Sequence, residues 1–257
     1  MQVHINVLGP MTAHRDGHPV TLGGRRQRLV LAALLVADGR VVPTDRLHHL
    51  VWSDGTPTAS RATLHGYIAA LRRALEPHHP ARTGQLLVRE DPGYALRLPP
   101  THTDTHRFTT LVTRAHTLRR QGHPTAAATT AHTALTLWRG PAYAGLDTTP
   151  FLQPEITRWN TLHTTATELH LAALVDAGHA TTALADLQAL VTRHPTRERP
   201  WELLALAQHR AGRPADALAT LRQAHTHLTT HTGLDPGPTL QRLRTAILHH
   251  HEHLPTP

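Results

Sequence analysis

The sequence has no cysteine and no lysine. Without a thiol there is no disulfide framework, thiolate metal site or cysteine nucleophile, and such a chain suits a cytoplasmic setting. Without lysine a Gly-x4-Gly-Lys phosphate loop cannot form, which excludes that ATPase module from these residues. Aromatic residues are scarce, with 2 Phe, 3 Tyr and 4 Trp, and the two serines, Ser53 and Ser60, lie in no nucleophile motif. No apolar run approaches the ~20 residues of a membrane-crossing helix. No His-Glu-x2-His helix is present, and His249-His250-His251-Glu252-His253 reads as a solvated tail. An enzyme has little to work with here: no catalytic residue, cofactor or metal is expected, and no membrane partner.

Every cationic side chain other than histidine is therefore an arginine. Among 257 residues there are 26 of them against 18 acidic residues, a formal charge of +8, with a pI near 11.3. That balance favours a polyanionic partner. Residues 1–100 carry 12 arginines against 7 acidic residues, net +5, and the longer remainder only +3. The 25 histidines are mostly neutral at pH 7 and would add charge on mild acidification.

The first hundred residues alternate between strand and helix signals. Val3, Ile5 and Val7, then Val20 and Leu22 beyond an Asp16-Gly17 turn, predict two short antiparallel strands. A helix is expected from about Arg25 to Ala37, closed by Gly39. A second has Thr44 at its N-cap and ends near Trp52. A third starts just after Pro57 and runs to about Leu75, with Leu64, Ile68, Leu71 and Leu75 forming one buried stripe. Flanking that stripe are Ala62, His65, Gly66, Ala69, Arg72 and Arg73. Leu86 to Val88 and Tyr94 to Leu98 predict a hairpin around Glu90-Asp91-Pro92-Gly93, with Arg89 at its shoulder. An amphipathic helix with a solvated arginine face would look the same in isolation. The ordered set of strands, three helices and hairpin reads instead as a winged helix-turn-helix, a DNA-binding module.

Beyond Pro99-Pro100 helices dominate, and a repeat is detectable. Gly178-His179-Ala180-Thr181-Thr182-Ala183-Leu184 recurs 34 residues later as Gly212-Arg213-Pro214-Ala215-Asp216-Ala217-Leu218, the tetratricopeptide period. Gly122 leading to Ala127 has the same glycine-to-alanine spacing. Each glycine should end the first helix of a pair, and each alanine should let the second pack closely. Stacked pairs of this kind usually present a concave protein-binding face. Trp138, Trp159 and Trp201 are expected in helix–helix cores.

Leu22-Gly23-Gly24-Arg25-Arg26-Gln27-Arg28, Val51-Trp52, Thr63-Leu64, Tyr67-Ile68, Leu71-Arg72-Arg73-Ala74-Leu75 and Pro92-Gly93-Tyr94 resemble the OmpR/PhoB-type winged helix. The likeness is to the version found in Streptomyces antibiotic regulatory proteins. Asp104-x3-Phe108, Ala134-Leu135-x-Leu137-Trp138-Arg139-Gly140, His194-Pro195-x-Arg197-Glu198 and Asp235-Pro236-Gly237-Pro238-x-Leu240 resemble the bacterial transcriptional activation domain of the same regulators. The resemblance implies a mainly α chain: a winged helix over residues 1–99, then an all-α tetratricopeptide-like domain over 100–257. It implies that the third helix enters the major groove while the hairpin tip reaches the minor groove. Arg72 and Arg73 would then reach DNA from the end of that helix, Thr63 and His65 from its early turns, and Arg89 from the hairpin. Arg25 and Arg26 belong to the same candidate set. Trp52 either lies beside the phosphate backbone or caps the second helix as a core residue. Ala62, Ala69 and Ala70 depart from the pattern, since basic or polar contacts are expected there.

The function so implied is activation of a secondary-metabolite (antibiotic) gene cluster. Two copies, as a homodimer on promoter direct repeats, would recruit RNA polymerase. The alternatives are a helical-repeat scaffold whose basic module binds protein or RNA, and a ligand-sensing regulator.

Overall fold

The computed structural model describes residues 2–52, 61–78 and 84–249. The expected start of the third helix at Pro57 and the histidine tail beyond residue 249 lie outside them, as do Ser53 and Ser60. The chain packs as two compact units, one made of Met1–Thr110 with Thr136–His163 and the other of Leu111–Leu135 with Thr164–Pro257.

In the first unit, β1 (Val3–Asn6), β2 (Thr12–Arg15) and β3 (His18–Val20) form an antiparallel sheet in that order. Two strands were expected and three are found. The missed one, Thr-Ala-His-Arg, offers only Ala13 to the core, too little apolar contrast for a period-2 signal; Ala13 pairs with both Ile5 and Val20. α1 (Arg25–Val36) starts at Gly24, whose N–H donates to Gln27 Oε1 at 2.8 Å. It ends at Ala37, two residues short of Gly39, and sends Leu29, Leu31 and Leu34 into the core. β4 (Val42–Pro43) leads into α2 (Thr44–Val51). Thr44 is the first helical residue and not its cap: the hydroxyl donates to the Pro92 carbonyl at 3.1 Å, tying the helix start to the hairpin. α3 (Arg61–Leu75) follows, and then β5 (Leu87–Glu90) and β6 (Gly93–Leu96), which pair across an Asp91-Pro92 turn in a sheet ordered β4-β6-β5. Gly93 is required there, since a Cβ would sit 1.9 Å from the Val42 carbonyl oxygen.

α1 packs on α2, α3 and β6, the three-helix and hairpin arrangement of a winged helix. Residues beyond 100 complete this unit. α4 (Asp104–Arg120) opens with Asp104, whose carboxylate accepts the N–H groups of Val7 and Leu8, each at 2.9 Å, and an Arg139 guanidinium N–H at 3.3 Å. Burial pushes that carboxyl above the ordinary aspartate value, opposed by the two amides and by Arg139. Phe108 meets the rings of Trp138 and Trp159 edge-on at 5.7 and 6.4 Å. The Asp-x3-Phe and Trp-Arg-Gly motifs are thus packing signals: the first holds the chain after β1, and the second supplies the arginine that neutralises it.

The second unit contains the C-terminal part of α4, α5 (Pro124–Leu135), the C-terminal part of α6 (Gln153–Asp176), α7 (Ala180–Arg193), α8 (Glu198–Arg210), α9 (Pro214–Thr232) and α10 (Pro238–Leu248). Its repeat is physical. Gly122, Gly178 and Gly212 have φ of 78°, 86° and 75°. Each ends a helix with the same pair of hydrogen bonds, from the glycine N–H back three residues and from the following N–H back five, the closure that favours a left-handed glycine. Ala127, Ala183 and Ala217, each five residues on, are fully buried. The spacing from Gly122 to Gly178 exceeds the 34-residue period because the chain leaves the array between α5 and α6, and residues 136–163 pack in the first unit. Trp201 is buried and donates its indole N–H to the Pro195 carbonyl at 2.8 Å, while Glu198 accepts the Gly237 N–H at 2.9 Å at the start of α10.

Two outcomes follow. Asp104→Ala leaves two buried N–H groups without acceptors and should lower the unfolding free energy by about 2–4 kcal/mol, measured by urea titration; Arg139→Ala should cost less. The second concerns histidines of the second unit. Burial holds His170 below the ordinary histidine value of 6.5, opposed by the Ala128 carbonyl, reinforced by His132 and opposed by Asp186. His194 is lowered by burial and by Arg197 and Arg193, against Glu168. A lowered folded value means that the unfolded chain binds more protons below 6.5. The stabilisation is complete above that pH and decays as pH falls through it, so the melting temperature should drop on acidification from about pH 7.5 to 5.5, and His170→Gln should flatten the fall.

Candidate nucleic-acid interface

α3 divides cleanly by burial. Leu64, Ile68, Leu71 and Leu75 are fully buried, as the spacing predicts, and Arg61, Ala62, His65, Gly66 and Arg73 are exposed. Thr63 and Ala69 are half-buried. Arg61 pairs with Asp45 at 2.6 Å, with both side chains open to solvent.

Arg72 is not on that exposed side. It is 6% exposed, and its Nε donates to the Leu87 carbonyl at 2.7 Å. The two arginines that flank the stripe in sequence separate for a geometric reason: adjacent helical residues point about 100° apart, and Arg72 follows Leu71 into the core. Four residues on, Glu76 is 1% exposed and accepts N–H groups from Gln85, Leu86 and Leu87. Arg72 and Glu76 together hold the first hairpin strand against the end of α3 by its own backbone. Burial holds the guanidinium below the usual arginine value, countered by Tyr94 and Glu76 and reinforced by Arg89; it stays charged at neutral pH. An i,i+4 Arg–Glu spacing at a helix end was the signal available in the sequence.

Tyr94, 4% exposed, gathers the site. The Arg72 guanidinium lies 5.8 Å from its ring centre, and the His65 ring meets it edge-on at 6.3 Å. Arg89, exposed, is its cross-strand partner on β5. One buried ring therefore brings together His65 on the helix and Arg89 on the hairpin, a role that the sequence pattern did not disclose.

Trp52 is 7% exposed and sandwiched between His48 at 4.6 Å and Tyr67 at 5.9 Å, both stacked, with the Arg26 guanidinium 5.8 Å from its ring. It is buried in this stack, which half-buried Arg26 shares. Arg25 is exposed, with its guanidinium 3.1 Å from Thr149 Oγ1. The arrangement brings Arg73, His65 and Arg89 to an exposed helix and hairpin, with Thr63 beside them, while Arg72, Arg26 and Trp52 support it from within. Among the described residues no helix is long and apolar enough to cross a membrane.

Comparisons with known proteins agree with this architecture. Residues 17–96 match the family "Transcriptional regulatory protein, C terminal" and residues 103–248 match "Bacterial transcriptional activator domain". The chain is 35% identical to Regulatory protein AfsR of Streptomyces coelicolor over 96% of its own length and 24% of that protein. It is 31% identical to Regulatory protein DnrI of Streptomyces peucetius, over 96% of this chain and 92% of the other. A solved structure of Mycobacterium tuberculosis EmbR in complex with a low-affinity phosphopeptide superposes with a TM-score of 0.90 at 32% identity, covering 99% of this chain and 67% of that one. The chain thus spans about a quarter of AfsR and nearly the whole of DnrI. With its winged helix, its activator domain and these relatives, the chain belongs to the Streptomyces antibiotic regulatory protein family of transcriptional regulators.

Proposed function

We propose that this chain is a sequence-specific DNA-binding transcriptional activator. α3 enters the major groove, and the β5–β6 hairpin follows the adjacent backbone into the minor groove. The observation that carries this reading is the exposed side of α3, bearing His65 and Arg73, fixed beside Arg89 through the buried Tyr94, Arg72 and Glu76. Residues 1–99 supply the DNA contacts, and residues 100–257 supply activation. Two copies sit on direct repeats about one helical turn, ~10–10.5 bp, apart. The helical pairs of the second unit contact RNA polymerase or the neighbouring copy. DnrI and AfsR, as regulatory proteins of Streptomyces, support a secondary-metabolite gene cluster as the target, in the cytoplasm.

The arginines test this reading. Arg73→Ala and Arg89→Ala should each weaken binding and reduce the slope of log K against log salt by ~0.9 per lost phosphate contact, with melting temperature unchanged. Arg72→Ala should instead destabilise the fold by about 1–3 kcal/mol, the scale of a lost charged hydrogen bond, and weaken binding without a one-contact change in slope. The measurements are fluorescence anisotropy on a selected promoter duplex at several salt concentrations, and thermal melts. Unchanged slopes for both Arg73→Ala and Arg89→Ala would remove the helix and hairpin from the interface and favour a scaffold that binds protein or RNA.

A further inference from the structure

Among the described residues, nothing in the fold calls for a glycine at Gly66 of α3. It lies mid-helix, where glycine is the most costly residue after proline, and it is exposed. Its backbone is not in the positive-φ region, and a Cβ built on it meets nothing within 4 Å. Among the described residues neither a turn nor a neighbouring side chain requires glycine at this position, which points to an advantage when another molecule approaches the helix. His65, immediately before it, is exposed and carries a ring with one donor and one acceptor nitrogen when neutral. Between Arg61, which pairs with Asp45, and Arg73, the exposed residues of the helix are Ala62, His65 and Gly66. His65 alone among those three has a side chain able to hydrogen-bond. Its edge-on contact with the buried Tyr94 ring limits where that ring can point.

We infer that His65 is the base-reading residue of α3 and that Gly66 sets how closely the helix backbone seats against the base edges. This rests on the DNA-binding reading above. The chemistry favours guanine, whose major-groove edge presents two acceptors, N7 and O6, to a ring N–H. Each bound copy then reads one G·C pair strongly through the middle of the helix. The positions facing Ala62 and Gly66 are selected by contact with the thymine methyl or by shape, not by hydrogen bonds.

The test uses the full chain as wild type, His65→Ala and Gly66→Ala, each taken through selection from random duplex DNA and a thermal melt. The wild type should enrich a motif with an invariant G·C pair in each half-site. His65→Ala should lose roughly 10-fold or more of the discrimination at that one pair, retaining the rest of the motif and the salt dependence. Gly66→Ala should move two readouts in opposite directions: a melting temperature higher by about 2–4 °C, because alanine favours the helix, and specific binding weaker than wild type by several-fold. A purely structural role for either residue would not separate stability from binding in this way. Unchanged discrimination in His65→Ala, or specific affinity in Gly66→Ala equal to wild type, would overturn the assignment while leaving the DNA-binding reading intact. No enrichment by the wild type would overturn both.

Discussion

The candidate interface depends on two side chains buried behind it. Arg72 and Glu76 are buried one helical turn apart, and they satisfy opposite halves of the same backbone: the guanidinium donates to the Leu87 carbonyl, and the carboxylate accepts N–H groups from Gln85 to Leu87. A hairpin of two four-residue strands is marginal in isolation. Here its entry is fixed to the helix by charge-assisted bonds, which are shorter and stronger than neutral ones. Gly84 is part of the same fit, since a Cβ there would fall 2.6 Å from Glu76 and 2.9 Å from Arg72 Nε. The join between helix and hairpin is therefore made by a buried arginine and a buried glutamate, each bonded to the hairpin's backbone, and not by surface residues.

The elements of the fold with strong periodicity were legible in the sequence. The stripe Leu64, Ile68, Leu71, Leu75 and the glycine–alanine repeat each fix a face or a helix end by one physical rule, and the structure places them as that rule requires. What was not legible depended on contacts distant in sequence. The strand Thr12–Arg15 becomes visible only once Ala13 is known to lie between Ile5 and Val20. Thr44 resembles an N-cap, yet its hydroxyl serves the Pro92 carbonyl 48 positions away. For the site, the arginine pair was found by its resemblance to a motif, but a motif does not say which member of the pair faces inward; the phase set by Leu71 does. Trp52 was ambiguous for the same reason, because stacking on Tyr67 requires α2 and α3 to be docked. Tyr94 was visible as part of a turn motif, whereas its organising role arises from ring contacts with side chains on two elements.

The division of the chain into units carries a similar lesson about the activator-domain motifs. Asp104, Phe108, Trp138 and Arg139 lie beyond the hairpin in sequence, yet Asp104 and Arg139 bond Val7, Leu8 and Pro10, and Phe108 packs on Trp138. The edge of β1 ends in amides that need acceptors, and the protein supplies them from a segment about a hundred residues later. A buried carboxylate left unneutralised would be costly, and Arg139 offsets part of that cost while Asp104 serves the two amides. The winged helix is completed by residues that a linear cut at Pro99-Pro100 would assign elsewhere.

Arginine is the sole strong cation of this sequence, and its geometry explains why net charge was a weak guide to the interface. In the first unit Arg15 donates to the Ala74 carbonyl, Arg72 to Leu87, Arg97 to Gly39 and Glu90, Arg139 to Pro10 and Asp104, and Arg25 reaches Thr149. A guanidinium presents five donors in a fixed fork, so it can bridge a carbonyl and a carboxylate where a lysine would satisfy one partner. Arg15, Arg25, Arg72 and Arg97, four arginines of residues 1–100, thus serve the fold. Under the proposed function, the arginines left to meet a duplex directly are few, with Arg73 and Arg89 exposed on the helix and the hairpin. On the same proposed function, recognition would then draw on fit as well as on phosphate contacts, at a helix whose exposed centre is Ala62, His65 and Gly66.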